Sequence, residues 1–251
     1  MAHRPGDDRV QDYNRDCEML IDTHTHIADL SGVDKIIRAS AETSEIVEAL
    51  AAAKSDPRIF CTLGIHPERA SETPEYENLL GNPKVVGVGE IGLDYHGNNA
   101  PPRQQVALFE RQLEIARHAK LPIAIHSRDA EDDTMSILQA MPSGGVMHCF
   151  TSSRWDFART MLDRGFYISA SGILTFKNAA ELRDIFARIP NDRIVSETDS
   201  PYCAPIPFRG QECRPAMMIE TIKVLAAIKN IPQVEMEDIL WNNAHRLYPK
   251  L

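Results

Sequence analysis

Two histidines stand two apart in the run "IDTHTH", at His24 and His26. A spacing of four would put them on one face of a helix; a spacing of two puts them on one face of a strand. Both imidazoles can then reach a single ion, whereas an isolated pair of this kind also serves as a polar strand end bonded to water or backbone. Three more histidines, His66, His126 and His148, each lie at the end of a short apolar or β-branched run, and Glu90, Asp94, Glu197 and Asp199 sit on two such runs. Imidazole and carboxylate together suit zinc and comparable divalent ions, while an all-oxygen set suits magnesium or calcium. The set exceeds one tetrahedral site. It suffices for two ions sharing a bridging carboxylate, an arrangement that can generate hydroxide from water and clamp both oxygens of an in-line displacement. The other four histidines have blander settings: His3 near the N-terminus, His118 and His245 in helical patterns, and His96 in a loop.

These residues need elements to hold them. Eight runs have strand character: Met19–His24, Lys35–Ser40, Ile59–His66, Val85–Asp94, Pro122–Ser127, Val146–Phe150, Phe166–Gly172 and Ile194–Ser200. Helical patterns follow most of them, at Glu42–Lys54, Arg103–Lys120, Asp129–Met141, Arg154–Arg164 and Asn178–Arg188, and two more, Pro215–Lys229 and Gln233–Leu247, close the chain. The clearest opens on prolines and repeats Val106, Phe109, Leu113 and Ala116 at helical spacing. Strands alternating with helices predict a parallel sheet closed into a (β/α)8 TIM barrel, whose strand C-terminal ends converge on one mouth where catalytic groups gather. That convergence favours the metal reading of His24 and His26. One connection is too short. Only the eight residues Ile27–Asp34 separate His26 from the second strand, and a parallel crossover usually needs about a dozen or more. Eight extended residues span roughly 26–29 Å, enough to return along a strand of about 17–20 Å with no helix between. Three readings remain: the first barrel helix is shortened or missing, the numbering skips a segment of about one helix, or "VDKIIRAS" is not a strand; a missing segment is the favoured one.

The bulk composition sets limits. The chain has 251 residues, 43% hydrophobic and 25% charged, which suits one large domain with a substantial core. Residues 1–18 read as a polar N-terminal arm without the apolar stretch of a signal peptide, and 19–251 as a single barrel domain. The longest apolar runs are too short to span a membrane. Five scattered cysteines argue against a disulfide framework and for a reducing, cytoplasmic setting; Cys61 and Cys149 lie in apolar runs and read as core residues. A net charge of −9 disfavours a broad nonspecific grip on nucleic acid, though not an enzyme that holds a few phosphates through metal ions.

The segments "IDTHTH", "GIHPE", "VGVGEIGLDYH", "PIAIHSRDA", "GVMHCFTSS", "SASGILTFKNA" and "ETDSPYCAPIPFRG" resemble, in order, those of the TatD-type DNases, a branch of the amidohydrolase superfamily. The resemblance runs from about residue 19 to the C-terminus. It implies a (β/α)8 barrel and a metal-dependent phosphodiesterase acting on DNA, with two divalent ions: zinc, magnesium or manganese. Carried over by position, it implies that His24 and His26 bind the first metal, His126 and His148 the second, and that Glu90 bridges them. Asp199 would be a ligand that also takes the proton of the attacking water. His66 would contact phosphate or protonate the leaving oxygen, or else serve as structural support. Arg128 would pair with phosphate, or with Asp129 or Glu131. Asp94 and Glu197 would orient ligands from behind. The chain departs from the family pattern in its short first connection, in Ser152 where a glycine is usual, and in Cys213, Arg214 and Pro215 where an Asn-Glu-Pro run is usual. The acidic chain fits single-stranded or frayed DNA ends better than wide duplex coverage. The same barrel also hosts hydrolysis of amides, lactones and small phosphoesters, and a metal-holding scaffold without turnover is the third reading.

Overall fold

Eight parallel strands run in sequence order around one sheet. The structure is a computed structural model, and it describes residues 19–97, 100–139 and 144–251. The strands are β1 (Ile21–Thr25), β2 (Lys35–Ala39), β3 (Ile59–Leu63), β4 (Val85–Asp94), β5 (Ile123–Arg128), β6 (Gly145–Met147), β7 (Phe166–Ala170) and β8 (Ile194–Ser196). The helices are α1 (Thr43–Ser55), α2 (Pro102–Ala119), α3 (Glu131–Gln139), α4 (Trp155–Asp163), α5 (Ala180–Arg188), α6 (Met218–Lys229) and α7 (Gln233–Leu247). This is the (β/α)8 TIM barrel. Seam β8–β1 closes through bonds just beyond β8: Asp199 N–H to His24 O at 3.0 Å and His26 N–H to Ser200 O at 2.8 Å. The arm expected over residues 1–18 and the last residues of the helix expected to reach Met141 lie outside the described residues.

Seven strands each contribute to one buried cluster, through Ile37, Phe60, Val86, Ala124, Val146, Tyr167 and Val195. The barrel interior is where so many strands can meet. Leu247 and Tyr248, at the end of α7, complete that cluster and so plug the floor of the barrel. A larger cluster, including Ile36, Phe109, Phe157, Phe166, Phe186 and Ile222, fills the layer between strands and helices.

The first connection contains no helix. Lys35–Ala39 is a strand, paired in parallel with β1 from Ile21 opposite Lys35, so the expectation of a missing first helix holds. The loop returns on Gly32, whose φ of +72° suits glycine and where an added Cβ would sit 2.8 Å from Ala216. Asp29 in this loop faces Arg214 at 3.6 Å. Arg214 thus ties the short connection to the segment after β8.

Helix α2 does more than cover the sheet. Its prolines open it, since Pro102 needs no N–H partner there, and Lys120 closes it in the left-handed region at φ 54°. Two of its buried side chains are glutamines. Gln112 accepts from Ile65 N–H at 2.8 Å and from the Tyr76 hydroxyl at 2.8 Å, and donates to Ile65 O at 2.9 Å. Gln105 accepts from Asp94 N–H at 2.8 Å and donates to Asp94 O at 2.7 Å. The chain ends just past β3 and at the tip of β4 are therefore pinned to α2. Gln112→Ala is expected to leave both polar groups of Ile65 unpaired and to lower stability by about 1–3 kcal/mol, whereas Gln104→Ala, at an exposed position one residue from Gln105, should stay within about 0.5 kcal/mol; urea unfolding of both variants checks this.

Candidate metal centre

Glu90 sits near the C-terminal end of β4 with 5% of its side chain exposed, and five imidazoles surround it. Its Oε2 lies 3.6 Å from His24 Nε2 and 3.7 Å from His26 Nε2. Its Oε1 lies 2.7 Å from His126 Nδ1, 3.3 Å from His148 Nε2 and 3.6 Å from His66 Nε2. Asp199 Oδ1 closes the ring, 3.5 Å from His26 Nε2 and 3.9 Å from His148 Nε2. Glycines let the strands approach this closely. An added Cβ at Gly89 would meet Ala124 Cβ at 2.6 Å, and one at Gly92 would meet His126 O at 1.9 Å.

The groups come from the strand ends the sequence pointed to, with one adjustment. His26, His66, His148, Glu197 and Asp199 stand on the loops just past β1, β3, β6 and β8 rather than on the strands. Backbone bonding continues past the regular ladders, with His148 N–H to Ile125 O at 2.9 Å and Glu197 N–H to Ala170 O at 3.1 Å. Asp199 then turns with φ of +60°, which the apolar pattern of the strand does not announce.

Two carboxylates hold imidazoles from behind. Asp94 Oδ2 takes His126 Nε2 at 2.9 Å, leaving Nδ1 toward Glu90. Glu197 Oε1 lies 2.8 Å from His148 Nδ1 and accepts from Cys149 N–H at 2.6 Å, while its Oε2 accepts from the Ser169 hydroxyl at 2.6 Å. His66 is oriented differently. Its Nδ1 accepts from Glu68 N–H at 3.2 Å, so in the neutral ring the hydrogen is on Nε2, which faces the cavity.

The electrostatics follow from burial set against mutual charge. Burial alone would raise Glu90, but His148, His66 and the bond to His126 hold it well below the usual carboxylate range. Burial opposes charge on His126 as well, yet the bonds to Asp94 and Glu90 push it up to about 9. His148 rises for the same kind of reason, with Glu197 and Glu90 outweighing burial. His24 moves the other way: burial and the stacked His148 ring, 3.6 Å between centroids, lower it. Burial takes His66 down to about 4, so that ring is neutral near pH 7. Asp199 stays ionised, since the bond to His26 and the charge of His148 outweigh burial.

A cation fits this donor set. His24 Nε2 is buried with no hydrogen-bond partner, although it faces a carboxylate. An imidazole nitrogen left in that state is unfavourable unless something positive completes it. His24, His26 and Glu90 have ligand atoms within 4.8 Å of one another, and so do Glu90, His126 and His148. The two groups share Glu90. They open into a cavity of about 650 Å³ also lined by Arg128, Thr151, Ile173 and Tyr202. A second cavity of about 480 Å³, lined in part by Leu113, Tyr167 and Leu247, gathers no carboxylate or imidazole.

The family described as TatD related DNase matches residues 9–249 of this sequence. The chain belongs to that family. It is 34% identical, over 92% of its length and 99% of the relative's, to the uncharacterized metal-dependent hydrolase YabD of Bacillus subtilis. It is 35% identical, over 91% of its length and 95% of the relative's, to the uncharacterized metal-dependent hydrolase YcfH of Escherichia coli. The crystal structure of the TatD homologue YjjV of Escherichia coli superposes with a TM-score of 0.86 at 29% identity, covering 92% of this chain and 98% of that one. The protein is thus a metal-dependent hydrolase of the TatD family. No helix among its described residues is long and apolar enough to cross a membrane.

Several residues of this TatD-family site escaped the sequence reading. Asp22 is fully buried below His24 and accepts from Thr198 N–H at 2.9 Å and from the Thr198 hydroxyl; burial pushes it up to about 7 against those bonds. Its signal was present, because Asp22 precedes His24 by two and shares its strand face. Tyr202 is 62% exposed at the rim and stands edge-on to His26, 6.0 Å between centroids. Cys149, read from sequence as a core residue, instead lines the cavity and is only partly buried. The strand expected over Val146–Phe150 ends at Met147, two residues before Cys149, which turns at φ 39°. Ser152 donates to Glu131 at 2.7 Å and Asp129 pairs with His96 at 2.8 Å, so the two acids that sequence offered as partners for Arg128 are engaged elsewhere.

Metal ligation requires neutral imidazole, and His126 with a pKa of about 9 carries a proton at neutral pH. Binding of Mn2+ to the metal-free protein near pH 7 is expected to release at least one proton. Apparent affinity should rise with pH through about 9, because below that value protons compete with the ion for His126. Calorimetric titration in buffers of different ionisation enthalpy reads the release; identical heats in all buffers would contradict it.

Proposed function

We propose that this protein is a metal-dependent deoxyribonuclease that hydrolyses phosphodiester bonds of single-stranded DNA or frayed ends. The carrying observation is the shared carboxylate: Glu90 lies in both ligand groups, His24–His26–Glu90 and Glu90–His126–His148, as a two-ion centre for phosphoryl chemistry needs. On this reading His24 and His26 hold one ion, His126 and His148 the other, Glu90 joins them and Asp199 completes the set. Divalent ions there would supply Lewis-acid charge and an acidified water; zinc, magnesium and manganese are the candidates.

The chain's own groups do the rest. Asp199, ionised in its buried setting, accepts the proton of the attacking water. His66 is better suited to donating a hydrogen bond from Nε2–H than to delivering a proton, since burial keeps its ring neutral near pH 7. It would bind a phosphoryl or departing sugar oxygen, and water would then protonate the leaving group. Arg128, at the end of β5 and on the cavity wall, offers a bidentate contact to phosphate. Tyr202 presents an exposed ring at the rim on which an unstacked base can lie. Asp94 and Glu197 hold His126 and His148 in place, as partners behind metal-binding imidazoles do.

The test offers metal-reconstituted protein a labelled single-stranded oligonucleotide, the matching duplex, and generic amide, lactone and phosphoester substrates. Cleavage of the oligonucleotide, lost on chelation, is the expected result; turnover of the small substrates alone would sink the nuclease reading. Asp199→Asn should lower kcat by about 10²–10⁴-fold. Arg128→Ala should mainly raise KM, by roughly 10-fold or more, as loss of a charge-assisted contact of about 1.5–3 kcal/mol implies.

A further inference from the structure

Two thiols stand against the Asp199 side of the centre. Cys203 Sγ lies 3.4 Å from Asp199 Oδ2, the oxygen turned away from His26. Cys149 follows His148 directly and lines the same cavity as Cys203, and its Sγ lies 3.2 Å from the Ser171 hydroxyl. Cys149, His148 and Asp199 each offer a ligand atom within 4.8 Å of the others. Tetrahedral zinc with sulfur at about 2.3 Å and oxygen at about 2.1 Å separates those ligand atoms by ~3.6 Å, close to the 3.4 Å found between Cys203 Sγ and Asp199 Oδ2.

Both thiols are held in position. Glu197 grips His148 Nδ1 at 2.8 Å and Cys149 N–H at 2.6 Å with the same oxygen, so imidazole and thiol are placed together. Cys203 is seated on Gly172, where an added Cβ would lie 1.9 Å from Cys203 O. Both cysteines take positive φ, 39° at Cys149 and 54° at Cys203, so that two neighbouring loops turn their thiols into one cavity. Cys61 and Cys213 differ, being fully buried away from it.

We infer that Cys149, Cys203 and Asp199 form a thiolate arm of the metal centre, which makes this enzyme select a thiophilic ion of the zinc class over magnesium. The inference rests on the two-ion reading above. On binding, each thiol that ligates gives its proton to solvent and its sulfur lone pair to the ion; no oxidation is involved. Soft sulfur adds affinity for zinc and cobalt and nothing for magnesium.

Reconstitution of the reduced full-length chain with Co2+, without oxygen, tests this. Weak visible d–d bands are expected from the imidazole and carboxylate ligands, with an intense near-ultraviolet thiolate-to-cobalt band beside them. Cys203→Ser and Cys149→Ser should each weaken the near-ultraviolet band, and the double variant should lose it while keeping the visible bands. Zn2+ affinity, read by competition with a chromophoric chelator, should fall ~10-fold or more in each variant, and Mg2+ affinity should not change; a purely structural role would weaken both ions alike and overturn the inference. Visible bands without a near-ultraviolet band in the unaltered protein would overturn the thiolate arm and leave the two-ion centre standing. Absence of both bands would overturn the centre as well. Cys203→Ser, further in sequence from His148, carries the test if Cys149→Ser does not fold.

Discussion

A single buried carboxylate organises this protein. Glu90, 5% exposed, touches five imidazoles. A lone ionised carboxylate taken from water into a barrel interior carries a penalty of several kcal/mol, and only positive charge around it can offset that. Protonated imidazoles do so in the metal-free chain, which is why Glu90 stays ionised while His126 and His148 shift upward. Divalent ions would do so more strongly, and the unpartnered nitrogen of His24 marks where the imidazoles alone fall short. The buried charge of Glu90 and the site's capacity for a cation are two sides of one electrostatic requirement.

The rest of the barrel holds that arrangement still. Gln105 and Gln112 of α2 pin the backbone at Asp94 and Ile65, and thereby the groups on either side of Glu90. Glu197 and Asp94 fix the tilt of His148 and His126. Asp22 clamps Thr198, and Asp199 N–H bonds His24 O at 3.0 Å, so the loop past β8 is tied to the first histidine. Glycines at 89 and 92 remove the side chains that would push β4 and β5 apart. The polar groups are costly to bury singly and become tolerable because each satisfies another.

The short connection between β1 and β2 fits the same picture. With no helix there, the loop packs Gly32 on Ala216 and places Asp29 opposite Arg214. The segment after β8, which carries Asp199, Tyr202 and Cys203 toward the mouth, is braced from that side. Arg214 and the first connection are thus neighbours in space, and they support the rim rather than the centre.

The sequence by itself determined the barrel and the identity of the chemical groups. Alternation of apolar runs with helical periodicity is a local property, so it survives without coordinates, as does the spacing of two between His24 and His26. Even the missing helix was legible, as the favoured of three readings of the eight-residue connection Ile27–Asp34. Tertiary structure decided how these groups meet. The distances at which Glu90 meets its five imidazoles, the service of Gln105 and Gln112 to backbone groups on other elements, and the move of Cys149 from the core to the cavity all depend on residues far apart in the chain. Strand periodicity fixes which face a side chain takes but not where the ladder ends, and the turns at Cys149, Asp199 and Cys203 begin where it ends. Packing against distant neighbours sets those turns, and no local pattern encodes it.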